Sequence, residues 1–188
     1  MTDSGRDPWL VVIDMQRIFG DPTSQWATPG YASIEEAVGG LVRAFGDRVI
    51  FTRFVAPEHP AGAWVPYYEL WPFALVPEGD PLYELTDGLG WDGHPVVTET
   101  TFGKWGPALS SLMADSVEMV LVGVSTDCCV LSTALAAADA GVHVRVVRDA
   151  CAGLSADDHQ RALDAMALYG PLIEITDATL VLSEVGMA

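Results

Sequence analysis

Residues 119–153, MVLVGVSTDCCVLSTALAAADAGVHVRVVRDACAG, change their hydrophobic period twice, and this double change decides the fold. Met119 to Val124 is a short unbroken apolar run rich in β-branched residues, the pattern of a strand covered on both faces. Ser125, Thr126 and Asp127 are helix N-cap residue types, and Val130, Leu131, Ala134, Leu135 and Ala138 then recur at helical spacing up to Gly141. A second apolar run, Val142 to Val147, closes a β-α-β unit. The unit predicts Cys128 and Cys129 in the first turn of a helix, just beyond the carboxyl end of a buried strand. Unpaired backbone N–H groups and the helix dipole favour an anion there, and a thiolate is one. Neighbouring helical residues point about 100° apart, so only one of the two sulfurs faces a given pocket. Either both cysteines are small buried hydrophobes, as most free cysteines are, or one is placed for chemistry.

A chain of 188 residues with 50% hydrophobic content is read as a single domain spanning residues 1–188. Nine basic residues against 26 acidic give a net charge of −17, which opposes binding to nucleic acid or to an anionic membrane. The polar start MTDSGRDP, and the lack of any apolar run near the ~18 residues of a spanning helix, lead us to expect neither a signal peptide nor an anchor, hence a cytoplasmic protein. Three cysteines, two of them adjacent and none in a C-x-x-C pair, suit reduced thiols better than a disulfide framework or zinc.

Upstream of the central unit, Trp9 to Ile13 reads as a buried strand ending at Asp14-Met15-Gln16. An acidic residue there stands at the sheet's carboxyl edge, where open parallel sheets bind ligands; the alternative is a turn or cap residue. Arg17-Ile18-Phe19-Gly20 follows in place of a G-x-G-x-x-G, which removes the main support for a dinucleotide fold. Residues 20–32 read as a loop. Ser33 is placed to cap a helix to about Phe45, with Ile34, Val38, Leu41, Val42 and Phe45 on one face, and Arg48 to Val55 is the second strand. The stretch from Pro57 to Pro95 is rich in proline and aromatic residues and weakly periodic. A connection this long is either a lid or binding loop, or a cap on the sheet or a subunit contact.

Pro95 to Thr98 begins a third strand, and Lys104, the sole lysine of the chain, falls in the loop that follows, where it reads as a solvated cation. Downstream, Asp149 to Ser155 is predicted as a loop containing Cys151. Ala156 to Tyr169 is an amphipathic helix and Leu172 to Ile175 a last strand. About six strands alternating with helices predict a three-layer α/β/α domain around a mostly parallel sheet.

The run Gly123-Val124-Ser125-Thr126-Asp127-Cys128-Cys129-Val130, followed by Thr133 and Ala134, resembles the nucleophile motif of the isochorismatase-like cysteine hydrolases, with Asp14 and Asp149-Ala150 extending the similarity along roughly the whole chain. The resemblance implies strand order 3-2-1-4-5-6. Strands one and four are then neighbours, and Asp14 meets Cys129. That family's motif has its cysteine directly before a valine, which selects Cys129 as nucleophile and leaves Cys128 structural. It further implies Asp14 as general base, Gln16 completing a D-x-Q pattern, backbone N–H groups of Ser125 and Cys129 as oxyanion donors, and a cis peptide bond before Ser125. The helix amino terminus is expected to lower the Cys129 pKa.

The family's lysine precedes an aromatic segment by three residues. With Phe102-Gly103-Lys104-Trp105 as that segment, Glu99 occupies the lysine position, and Lys104 lies five residues later. On this register Glu99 shares a proton with Asp14, with Lys104 the competing candidate. Phe19, Trp71, Phe102 and Trp105 are the expected substrate-binding side chains. Metal-dependent relatives carry an Asp-x-His and a second His where this chain has only His59, so neither metal nor cofactor is expected. The activity implied is cleavage of a carbon–nitrogen bond in a small amide through a thioester, by a homo-oligomer, dimer or tetramer. Alternatives on the same fold are an isochorismatase-type vinyl ether hydrolase and a non-enzymatic thiol sensor.

Overall fold

A computed structural model of the chain describes residues 7–114 and 116–186; the polar amino terminus, residues 1–6, lies outside the described residues. In chain order the elements are β1 (Trp9–Ile13), α1 (Arg17–Gly20), α2 (Tyr31–Phe45), β2 (Val49–Phe54), α3 (Trp64–Leu70), β3 (Val96–Glu99), α4 (Pro107–Leu112), β4 (Glu118–Val124), a π-helical turn (Thr126–Val130) running into α5 (Leu131–Asp139), β5 (His143–Ala152), α6 (Ala156–Ala167), β6 (Ile173–Thr176) and α7 (Ala178–Val185). The six strands form one sheet in the order β3-β2-β1-β4-β5-β6, and every pairing is parallel.

Period-two alternation divides the core between the two faces of this sheet. Leu10 and Val12 of β1 pack on one side with Ile34, Val38, Leu41 and Phe45 of α2 and Val181 of α7. Val11 and Ile13 pack on the other with Leu109 of α4, Ala134 and Ala137 of α5, and Leu163 and Met166 of α6. The result is three layers, in which β1 and β4 are buried on both faces, as their continuous apolar runs require. No helix among the described residues is long and apolar enough to cross a membrane.

Several boundaries differ from the sequence reading. Helix α2 begins at Tyr31, with Gly30 as its cap residue, and Ser33 sits inside the first turn, its hydroxyl donating back to the Gly30 carbonyl at 2.6 Å. Strand β5 continues to Ala152, because a register shift between Leu121 and Gly123 lets Cys151 and Ala152 resume pairing with Gly123 and Val124. Cys151 is therefore a buried strand residue and not part of a loop. The proline-rich connection contains α3 and two short 3-10 turns, and α7 has no counterpart in the sequence reading.

Candidate active site

Strand β1 ends where its neighbours change direction in sequence, and the register Ile13↔Gly123 brings Asp14 beside the start of the cysteine turn. Gly123 makes this closeness possible: its φ is +110°, and a Cβ there would lie 2.2 Å from the Ile13 carbonyl oxygen. Asp14 adopts φ +48°, a left-handed conformation that aspartate tolerates better than most residues. Thr52 of β2 holds it from both sides. The Asp14 N–H donates to Thr52 Oγ1 at 3.1 Å, and Oγ1 donates to Asp14 Oδ1 at 2.7 Å. Gln16 fixes the turn beyond, its amide donating to the Phe54 and Tyr83 carbonyls and accepting from the Phe54 N–H.

Asp14 Oδ2 lies 3.0 Å from Lys104 Nζ, and both side chains are 0% exposed. Lys104 is thus a fully buried counter-ion, which corrects its reading as a solvated loop cation. The loop after β3 folds back across α5, so that the Lys104 N–H donates to Thr133 Oγ1 at 2.9 Å while Nζ donates to the Thr101 carbonyl at 2.7 Å and sits 5.3 Å from the Phe54 ring centroid. Thr133 Oγ1 in turn donates to the Cys129 carbonyl at 2.7 Å. One threonine hydroxyl therefore links the lysine loop to the cysteine turn. Thr133 belongs to the motif quoted from the sequence, but its linking role requires contacts that sequence spacing does not show.

Glu99 remains on β3, two strands from β1, its carbonyl accepting from the Val55 N–H. The charges acting on the Cys129 thiol come from Asp14, Lys104 and Cys128; Glu99 is not among them. The lysine position inferred from the motif register is thus displaced by five residues of loop, and the carboxylate pair expected of Asp14 and Glu99 gives way to a carboxylate–ammonium pair.

Cys129 is buried at the π-helical turn, and the Val124–Ser125 peptide bond that precedes the turn is cis. Burial pushes the Cys129 thiol well above its ordinary pKa, and the negative charge of Asp14 pushes the same way against the opposing pull of Lys104. The lowered pKa expected from the helix amino terminus is therefore reversed by desolvation. Cys128 is half-buried, and burial together with Asp127 raises its thiol to about 11. Asp127 Oδ1 accepts from Ser125 Oγ at 3.1 Å and from the Leu154 N–H at 3.0 Å, and Thr126 Oγ1 lies 2.8 Å from His159 Nδ1. These bonds fasten the cysteine turn to the β5–α6 loop and to α6.

Above Cys129 opens a pocket of about 190 Å³ lined by Phe19, Gln25, Trp26, Thr28, Phe54, Tyr67, Trp71, Phe102, Ser125, Cys128, Cys129 and Leu154. Phe19, Trp71 and Phe102 line it as expected. Trp105 does not, packing instead against the α4–α6 core. Sequence reasoning missed Trp26, around which Phe19, Phe54, Tyr67, Trp71 and Phe73 gather at ring-centroid distances of 5.1–6.3 Å. A tryptophan amid glycine and proline in residues 20–32 was its only local signal.

Among the described residues, no group of three or more His, Cys, Asp or Glu side chains is arranged to hold a metal ion. Among the described residues His59 has no companion ligands, and these residues do not fit a metal site of the Asp-x-His kind. Dialysis against a chelator is expected to leave turnover unchanged, as a before-and-after assay with zinc or iron add-back would show.

The isochorismatase domain model matches residues 8–178. Maleamate amidohydrolase of Pseudomonas putida is 29% identical over 185 residues, covering 93% of this chain and 86% of that protein. Among solved structures, a cysteine hydrolase from Pseudomonas syringae superposes with a TM-score of 0.86 at 20% identity, covering 96% of this chain and 92% of that one. A Pyrococcus horikoshii pyrazinamidase in complex with zinc gives 0.73 at 24% identity, covering 90% and 98%.

Proposed function

Since the chain belongs to the isochorismatase family, we propose that it hydrolyses the carbon–nitrogen bond of a small amide through a thioester on Cys129. The observation that carries this reading is the fully buried Asp14–Lys104 pair, 3.0 Å apart, whose charges act on Cys129, the one pocket-lining thiol that is buried.

In the resting site the thiol keeps its proton, because a desolvated thiolate beside Asp14 is unfavourable. On binding of the amide, Asp14 accepts that proton as sulfur attacks the carbonyl carbon, and the negative charge passes from carboxylate to sulfur and then to the carbonyl oxygen. Lys104, fixed by Thr101 and Thr133, keeps a positive charge beside both anions, so that the charge moves without solvent reorganisation. The N–H groups of Ser125 and Cys129 receive the oxyanion, each contributing on the order of 2.7–4 kcal/mol in comparable sites. Collapse returns the proton from Asp14 to the departing amine. Asp14 then takes a proton from water, which cleaves the thioester to a carboxylic acid and restores the thiol. The maleamate amidohydrolase relative, an amidase by name, supports the amide reading.

The test is an intact-protein mass spectrum taken during turnover of an activated amide or ester. One acyl adduct per chain is expected, mapping to the peptide containing Cys129. An adduct on another residue, or none while product accumulates, would overturn the covalent step.

A further inference from the structure

Acyl transfer on Cys129 requires the proposed oxyanion donors, the N–H groups of Ser125 and Cys129, to stay within hydrogen-bond reach of one point. A displacement of about 1 Å in such a site costs on the order of 10²-fold in rate. What holds the cysteine turn in place therefore bears on catalysis, an inference that rests on the hydrolase reading above. Thr126 lies between the two donors. It is 0% exposed, and among the described residues the only hydrogen bond of its hydroxyl is to His159 Nδ1 at 2.8 Å.

Helix α6 brings His159 to this place. Ser155 caps the helix, its Oγ accepting from the Asp158 N–H at 3.0 Å, and the His159 N–H donates to the Ser155 carbonyl at 2.9 Å. Gly153 permits the close approach, because a Cβ there would lie 2.7 Å from Asp127 Oδ1 and 3.0 Å from the His159 backbone nitrogen. His159 is half-buried and does not line the pocket, so it reaches the reaction only through Thr126. Burial holds its imidazole below the ordinary histidine pKa, while Asp127 of the cysteine turn pulls the other way. On α6 itself Asp157 and Asp158 are engaged by Arg161, the loop residues Gly153, Leu154 and Ser155 carry no ionisable group, and the Cys128 thiol is neutral. A buried hydroxyl hydrogen without an acceptor is costly, so the pair is satisfied with Thr126 donating and a neutral Nδ1 accepting.

We propose that His159 is a positioning residue, whose Nδ1 accepts from Thr126 Oγ1 and thereby fixes the turn that presents Cys129 and the oxyanion N–H groups. Protonation turns the acceptor into a donor, which leaves the Thr126 hydroxyl hydrogen unpartnered and loosens the turn. The chemical step therefore slows as pH falls through the His159 pKa. Binding at the pocket wall, which His159 does not touch, is little changed.

The experiment measures kcat and KM for p-nitrophenyl acetate between about pH 5 and 8, the range in which histidine titrates. The proteins are the wild type, Thr126→Val, His159→Phe, His159→Asn and the double variant Thr126→Val with His159→Phe, with the Cys129→Ala rate subtracted and circular dichroism to establish folding. Thr126→Val and His159→Phe should each lower kcat by roughly 10–100-fold at neutral pH and leave KM within about threefold. The double variant should lose little more than either alone, since all three remove one bond. His159→Asn offers a carbonyl oxygen in place of Nδ1, so it should keep kcat within about threefold of the wild type and lose the acid limb that His159 imposes below about pH 6.5. Hydrogen–deuterium exchange of the peptide spanning residues 123–131, at one pH, reads the turn without turnover. Exchange should quicken in Thr126→Val and His159→Phe but not in His159→Asn. That pattern in a protein that hydrolyses nothing would keep this inference and sink the hydrolase reading. A kcat unmoved by either substitution, additive losses, or a His159→Asn no better than His159→Phe would overturn the inference. Should Thr126→Val fail to fold, the two His159 variants decide the matter by kcat and exchange.

Discussion

Cys129→Ala is expected to abolish turnover, with a loss of at least about 10⁴-fold in kcat, because it removes the thiol proposed to carry the acyl group. Cys128→Ala keeps most of the activity. The two thiols are adjacent in sequence and both line the pocket, yet Asp14 and Lys104 act on Cys129, while Cys128 is engaged with Asp127 at 3.8 Å. Steady-state kinetics on both variants, with circular dichroism to establish folding, separate the roles; equal loss in both folded variants would show the assignment to be wrong. A pH profile adds a second test. Because the Cys129 thiol lies well above its ordinary value, its free thiolate grows about tenfold per pH unit through neutrality without levelling. Alkylation by iodoacetamide should follow that slope in substrate-free protein. A plateau near pH 6 would mean a preformed thiolate, contrary to the burial of the sulfur.

Lys104→Met is expected to lower kcat/KM by roughly 10²–10³-fold and to destabilise the protein by about 3–5 kcal/mol, since it leaves the Asp14 carboxylate buried without a counter-ion. Glu99→Gln should stay within about threefold of the wild type, as surface substitutions away from such features usually do. This order reverses the one the motif register alone gives. Urea denaturation beside kinetics distinguishes two contributions. The double variant Asp14→Asn with Lys104→Met removes both charges and should recover much of the lost stability without recovering activity. If Glu99→Gln proves the more damaging change, the β3 carboxylate takes part in catalysis after all.

The fold was legible because its decisive signals are local. The apolar runs at Trp9–Ile13 and Met119–Val124 identify doubly covered strands, and the change to helical period after Ser125 locates the turn between β4 and α5. The positions of Asp14 and Cys129 could be read from their strand ends. What could not be read depends on how loops close. Lys104 reaches the site through a reversal of the chain fixed by Thr133, 29 residues away, and no spacing rule predicts such a contact. The same holds for Thr52 against Asp14 and for Trp26 in the pocket, whose places are set by tertiary packing. The Cys129 pKa was misjudged because a helix terminus is visible in sequence, whereas the desolvation that outweighs it is not.

The burial of Lys104 has a consequence beyond the reaction. It is the only lysine in the sequence, and it is 0% exposed against Asp14, so the other side-chain cations are all guanidinium groups. The folded surface therefore presents no lysine amine to acylating reagents, to aldehydes or to enzymes that attach groups at lysine. Such chemistry can reach the ε-amine only when the active site itself opens, which makes the amine a marker of whether the site is intact.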